Sequence, residues 1–323
     1  MSSARISRRA VLASAAAVVS GALVLTGCGG DGGSTGAQAS DTRRITDATG
    51  RTVEVPATPH KVVALSEPTL DAALALGVEP VGTTAGRGQR GVSTYLADEA
   101  AGAQVIATVA EADMEKLAAL RPDLILLDET TAVKNEVAKL ESIAPTVVTA
   151  KLNEDWKKAF TATADALNKR AEGDRWLDGF EADVAATEKG LGANAGAVVS
   201  VVRWQNGAPS VVGRGVNHVG STLTELGLDR PEDQRGVGTG HSEPVSLEKL
   251  STIDGDWLFF GVLGTLADGE KAYGEARQVA NFARLSAERD GHVVVIEGSA
   301  WNSAGGPLAA RIVLDDLTKA LAS

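Results

Sequence analysis

Cationic and aromatic side chains recur in this chain directly after apolar, β-rich runs. One such segment carries Arg87, Arg90 and Tyr95, a second Arg203 and Trp204, a third Arg214, Asn217 and His218, and a fourth Trp301 and Asn302. Indoles beside guanidinium groups suit a flat or bulky anionic ligand, through stacking, cation–π contact and charge-assisted hydrogen bonds. Trp makes up 5 of the 12 aromatic residues, so Trp204 and Trp301 are a large part of what the chain has for stacking. Ser66-Glu67-Pro68 and Asp128-Glu129-Thr130 occupy the equivalent places in the first half. A different pattern involves two glutamates. Met114-Glu115-Lys116-Leu117 precedes Asp123-Leu124-Ile125-Leu126-Leu127, and Leu247-Glu248-Lys249-Leu250 precedes Asp256-Trp257-Leu258-Phe259-Phe260. Each Glu stands eight residues before an Asp that opens an apolar run, and the offset between copies is 133 residues.

Several patterns that mark common enzymes are missing from the sequence. It contains no Gly-x-x-x-x-Gly-Lys-Ser/Thr loop and no His-Glu-x-x-His pair. Gly213-Arg214-Gly215 and Gly236-Val237-Gly238 lack a third glycine at the spacing a dinucleotide loop needs. His218, His241 and Glu243 are of metal-ligating type, but only four His occur and without tight spacing, so core or surface histidines fit better. One cysteine excludes an intrachain disulfide framework and a Cys-based zinc site. The formal charge is −11, and a chain cut before Cys28 keeps 28 basic against 42 acidic groups, a balance that does not court nucleic acid.

The N-terminus reads as an address. Arg8-Arg9 precedes an apolar stretch from Val11 to Leu25, which is too short for a spanning helix and ends in Leu25-Thr26-Gly27-Cys28. This resembles a bacterial lipoprotein signal over residues 1–27, which implies a lipid-modified Cys28 and anchoring at the extracytoplasmic face of the cell membrane. The sequence leaves the twin-arginine and general secretory routes both open. Residues 28–44 are rich in Gly, Ser, Ala and Thr at first and are predicted to be a flexible tether.

Two α/β lobes are predicted beyond it, over 45–152 and 191–323. In the first, Thr46 to Pro56 alternates around a turn, Lys61 to Leu65 is a strand, and Leu70, Leu74 and Leu76 lie on a helix that stops at Gly77. In the second, strands are expected at Ala197–Arg203, Ser210–Gly213, Trp257–Gly261 and His292–Ile296, with helices over Ser221–Leu226 and onward from Gly306-Pro307. A looser echo pairs Leu74–Val78 with Leu223–Leu228, and two echoes in the same order favour duplicated lobes. Residues 153–190, with Trp156, Phe160, Leu167, Trp176, Phe180 and Val184 near one stripe, are predicted to be a single helix bridging the lobes, ~50 Å long. Asn153 or Asp155 can cap its start, Gly190 and Gly192 can stop it, and Gly173 and Gly179 can bend it. Two helices broken near Gly173 is the alternative. The expected fold class is therefore α/β: two lobes with parallel-rich central sheets, one long bridging helix, and a ligand cleft between the lobes.

Met114 to Ile125 (Met-Glu-Lys-Leu-Ala-Ala-Leu-Arg-Pro-Asp-Leu-Ile), together with Val62–Ser66, Leu74–Gly77, Pro80-Val81-Gly82 and Cys28, resembles the substrate-binding lipoproteins of iron–siderophore and cobalamin ABC importers. The resemblance runs over the whole mature chain. It implies a monomeric binding protein with no enzymatic activity and no cofactor. Its ligand would be an Fe(III)-siderophore, with the iron held by the siderophore and not by protein ligands. It also implies delivery to an ABC importer permease dimer, onto whose arginines Glu115 and Glu248 would dock; either alone reads as a helix-start acid, and their symmetry favours docking. Arg87, Arg90, Tyr95, Arg203, Trp204, Arg214, His218 and Trp301 are the implied ligand contacts. Arg203-Trp204 and Trp301 to Pro307 are similar to siderophore-binding members, and the hydroxamate type is expected. Haem or cobalamin is the alternative within the same importer class, and Tyr95, Tyr273 or His218 would be the axial candidates for haem. A secreted hydrolase is a further alternative, but it needs a nucleophile–base pair that the sequence does not display.

Overall fold

The computed structural model describes residues 41–322 except 237, 239 and 240. The signal segment, Cys28 and the tether up to residue 40 lie outside the described residues. The chain enters as an antiparallel hairpin of β1 (Thr42–Thr46) and β2 (Thr52–Pro56). The Asp47 carboxylate closes its turn by accepting from the backbone N–H groups of Thr49 and Arg51, at 2.9 and 3.0 Å. Regular structure thus starts at Thr42, inside the expected tether, because Arg43 on β1 donates to the carbonyls of Asp165 and Ala166 and ties the strand to the rest of the protein.

The first lobe contains β3 (Val62–Ala64), α1 (Glu67–Ala75), β4 (Gly82–Thr84), β5 (Gln104–Ala107), α2 (Met114–Leu120), β6 (Leu124–Leu127), α3 (Val137–Glu141) and β7 (Thr146–Val148). Its five strands are all parallel, in the order β5-β4-β3-β6-β7. Parallel sheets are covered on both faces, which is why β6 has no polar position. Leu124 and Leu126 join Val62 and Phe160 on one face, while Ile125 and Leu127 join Val63 and Leu117 on the other.

The bridging segment is two helices, α4 (Trp156–Ala166) and α5 (Arg170–Gly190). Asp155 caps α4 by accepting from Lys157 and Lys158, as expected of one of the two cap candidates. The continuous helix read over 153–190 is interrupted at Asn168, which takes a left-handed φ of 57°, a conformation Asn tolerates better than most residues. Gly173 is not the break. It lies where α5 folds back on α4, and a Cβ there would fall 2.9 Å from the Ala164 Cβ. Trp176 and Leu177 on α5 touch the cores of both lobes, so α5 is the strut. The edge-on and stacked rings of Trp156, Phe160, Trp176 and Phe180, with centroids 5.4–6.2 Å apart, lock it to α4.

The second lobe contains β8 (Val199–Gln205), β9 (Ala208–Val211), α6 (His218–Glu225), β10 (Trp257–Gly261), α7 (Leu266–Ala276), α8 (Ser286–Asp290), β11 (Val293–Val295), α9 (Gly298–Trp301) and α10 (Pro307–Leu321). Its sheet runs β11-β10-β8-β9, with β9 antiparallel to β8 and the other pairs parallel. Asn206 and Gly207, at φ 53° and 78°, make the tight turn of the β8–β9 hairpin.

The internal echoes have structural counterparts. Asp123 accepts from His60 N and Lys61 N beside β3, and Asp256 accepts from Val198 N beside β8, so each ties down the entry of the neighbouring parallel strand. Gly77 and Gly227 end α1 and α6 at φ 69° and 68°. The symmetry is incomplete: Leu247–Ile253 is a kinked 3₁₀ segment where α2 is an α-helix.

Candidate ligand-binding cleft

A cleft of about 690 Å³ opens between the lobes at the carboxyl ends of the parallel strands. One wall holds Arg87 after β4 and Asp128 and Thr130 after β6. The opposite wall holds Arg203 on β8 and Arg214 after β9, with Trp301 to Pro307 between α9 and α10. Trp156 and Phe160 of α4 lie at the back.

Three of the expected arginines line this space. Arg87 is held by its own lobe: its backbone N–H donates to Glu67 Oε1 at 3.2 Å, a guanidinium N–H donates to the Thr130 carbonyl at 3.2 Å, and Nε lies 3.8 Å from Glu67 Oε2. Arg203 follows Val199 and Val201 on one face of β8 and is 5% exposed. Its guanidinium makes no hydrogen bond or ion pair among the described residues, and Nε is buried without an acceptor. Burial, with the like charge of Arg87 adding to it, holds the Arg203 pKa below the usual guanidinium range. Arg214 Nε is likewise buried without an acceptor, and Gly238 crosses so close that a Cβ there would lie 2.5 Å from that nitrogen.

A fourth guanidinium, not anticipated from the sequence, backs the same wall. Arg230 is buried and donates to the carbonyls of Gly213 and Val212 and to the side-chain oxygen of Gln234, the last two at 2.9 and 2.6 Å. Burial, and then the nearby Arg214, bring its pKa down to about 10. No motif announced it. It stands 16 residues beyond Arg214, and only the return of the chain behind β9 brings the two together.

Other expected contacts are placed elsewhere. Trp204 is on β8, not in a loop, because the strand runs on to the Asn206-Gly207 turn. Sharing the face of Val202, it packs in the core against Phe260 and Phe282, at 5.6 and 6.0 Å. The Asn-Gly pair was the available signal that the strand continued. Arg90 is exposed and is not part of the cleft lining. The Tyr95 hydroxyl donates to Asp71 Oδ2 at 2.8 Å, away from the cleft surface, and Tyr273 donates to Glu288. Trp301 reaches the cleft with one edge but is 1% exposed, stacked on Phe259 at 4.9 Å, and donates Nε1–H to Asp316 at 2.9 Å. His218 lines the cleft, yet its Nε2–H donates to the Ala300 carbonyl at 2.7 Å, and burial drops its pKa to about 4, so the ring is neutral. Among the described residues no group of three or more His, Cys, Asp or Glu side chains is arranged to hold a metal ion.

Two buried carboxylates join the walls. Glu67 accepts from Ser93 in its own lobe and from Ser303 in the other, the latter at 2.8 Å. Asp71 on α1 accepts from the backbone N–H groups of Gly306, Leu308 and Ala309 at 3.1, 2.7 and 3.0 Å, and so caps α10 across the lobe boundary. Burial raises both carboxyl pKa values, that of Asp71 to about 6. Glu115 and Glu248 are exposed in the first turns of α2 and the Leu247–Ile253 segment, one per lobe, and neither forms an ion pair among the described residues.

Comparison with known proteins agrees with this architecture. Residues 62–300 match the profile of the periplasmic binding protein family, and the chain belongs to that family. It is 29% identical to the probable siderophore-binding lipoprotein YfiY of Bacillus subtilis (strain 168), over 91% of this chain and 93% of that one. It is 28% identical to the putative ABC transporter substrate-binding lipoprotein YhfQ of the same organism, over 85% and 87%. Staphylococcus aureus SirA, solved in complex with staphyloferrin B, superposes with a TM-score of 0.72 at 24% identity, covering 87% of this chain and 98% of that one, and so shares the fold.

Proposed function

We propose that this member of the periplasmic binding protein family is an extracytoplasmic binding protein, anchored through a lipidated Cys28, that captures a ferric siderophore and delivers it to an ABC importer permease. The observation that carries this reading is the cleft itself. It is open, sits at the sheet switch points, and is lined by guanidinium groups from both lobes. Arg87, Arg203 and Arg214 are the residues assigned to the ligand, and Trp156 and Trp301 supply apolar surface. The names of the two Bacillus relatives support the same role. Hydroxamate is the siderophore type that the sequence resemblance favours. Glu115 and Glu248, exposed one per lobe, are assigned to a two-fold permease. The protein acts as a monomer and without a cofactor. Haem is the weaker reading, because the Tyr95 hydroxyl and His218 Nε2 are already committed to Asp71 and Ala300.

Tryptophan fluorescence of the tail-less protein, titrated with ferric siderophores, haem and cobalamin, tests this. Saturable quenching by a ferric siderophore at sub-micromolar concentration is expected, reported by Trp156 and Trp301. Saturation by haem or cobalamin alone refutes the siderophore assignment.

A further inference from the structure

We infer that the iron complex held in this cleft is a net anion, its iron shell built from carboxylate, α-hydroxycarboxylate or catecholate oxygens, and not a neutral trihydroxamate. This inference rests on the siderophore reading and narrows it against the hydroxamate type. Four guanidiniums converge on the cleft or stand directly behind it: Arg87, Arg203, Arg214 and Arg230. Among the described residues the only carboxylate within ion-pair distance of any of them is Glu67, 3.8 Å from Arg87, and that carboxylate also accepts from Ser93 and Ser303. Arg230 is satisfied by neutral acceptors alone. Arg203 has no acceptor among the described residues although it is 5% exposed.

The acids on the same surface offset Arg87 but not the guanidiniums of the opposite wall. Asp128 is turned onto the backbone and hydroxyl of Thr130, Glu154 pairs with Lys158 at 3.7 Å, and Glu243 is exposed. A guanidinium whose Nε is buried without an acceptor, next to a like charge, raises the free energy of the empty protein. An anion that brings acceptor oxygens to Arg203 and Arg214 relieves that penalty, whereas a neutral complex leaves the charges facing one another. The buried, unpaired Arg203 therefore acts as a selector for ligand charge.

The test titrates the tail-less protein with three hexadentate or oligomeric iron complexes: a ferric tris-catecholate, ferric citrate and a neutral ferric trihydroxamate. At least one of the two anions is expected to bind about 100-fold more tightly than the trihydroxamate, and about tenfold more weakly when salt rises from 50 to 500 mM. Arg203→Gln is expected to weaken anion binding about tenfold or more and trihydroxamate binding less, narrowing the gap between them. Its thermal midpoint should match or exceed that of the parent, since a buried unpaired charge has been removed. The salt series on the unaltered protein reads the same charge dependence without any variant. Trihydroxamate binding as tight as that of both anions, or anion binding insensitive to salt, overturns the inference while leaving a siderophore-binding protein. Binding of none of the three complexes overturns the siderophore reading, and the inference with it.

Discussion

Replacing Asp71 with Ala removes the single carboxylate that ties α1 of the first lobe to α10 of the second. Asp71 is fully buried and accepts four hydrogen bonds, from Gly306 N, Leu308 N, Ala309 N and the Tyr95 hydroxyl, all between 2.7 and 3.1 Å. Truncation leaves those donors without an acceptor and uncaps the start of α10. At about 1 kcal/mol per orphaned donor, plus the lost interaction with the helix dipole, the variant should be less stable by about 3–5 kcal/mol. Its pH dependence gives a second, sharper signature. Burial raises the Asp71 pKa from 3.8 to about 6, so the folded protein binds this proton more tightly than the unfolded chain does. The resulting stabilisation is fully present below pH 3.8 and is lost as pH rises through 6. Between pH 5 and pH 7 the parent protein loses about 1 kcal/mol through this group, and the Ala variant loses none of it. The cost of the substitution should therefore be about 1 kcal/mol larger at pH 5 than at pH 7. Glu67 and Asp128, whose pKa values are also raised by burial, remain in both proteins and cancel in the difference. Urea unfolding at the two pH values, followed by tryptophan fluorescence, measures both quantities. A total cost under 1 kcal/mol would refute the latch, and so would a cost that is the same or smaller at pH 5.

Combining Glu115→Ala with Glu248→Ala should leave the affinity for the ferric ligand unchanged and reduce cellular iron uptake at least about tenfold, because each substitution removes one of the two charge-assisted docking contacts proposed for the pair; normal uptake of labelled iron by the double variant rules the docking role out. Trp204→Ala should destabilise the protein by about 3–5 kcal/mol through loss of its contacts with Phe260 and Phe282, as chemical denaturation would read, while the folded variant keeps its ligand affinity within about twofold. A large affinity loss at intact stability would return Trp204 to the binding site.

Much of the architecture was legible because it is written in local pattern. The unbroken apolar run of β6 announces a strand covered on both faces, and the same Asp opens β6 and β10 because each must secure a neighbouring strand. The paired helix ends at Gly77 and Gly227 are equally local. What the pattern could not convey was where a strand stops and a helix turns back. Stopping β8 at Arg203 made Trp204 a loop residue, although two-residue alternation puts Arg203 and Trp204 on opposite faces of the sheet, one toward the cleft and one into the core. Helical periodicity likewise continues across Asn168, since a short left-handed interruption shifts direction without changing composition. The cross-lobe bonds were beyond reach for a different reason. Glu67 to Ser303 and Asp71 to Leu308 span 236 and 237 residues, and nothing near Asp71 distinguishes it from an exposed helical acid. The charge character of the cleft belongs to the same category. Each arginine alone is an ordinary surface candidate, and only the fold shows that Arg203 and Arg214 line one wall of the cleft and Arg230 backs it, with no ion pair to any of the three among the described residues. Residues that bind are set by type and strand position, which a sequence displays. Whether their charges are already neutralised depends on long-range neighbours, and here that is what decides which ligands the cleft accepts.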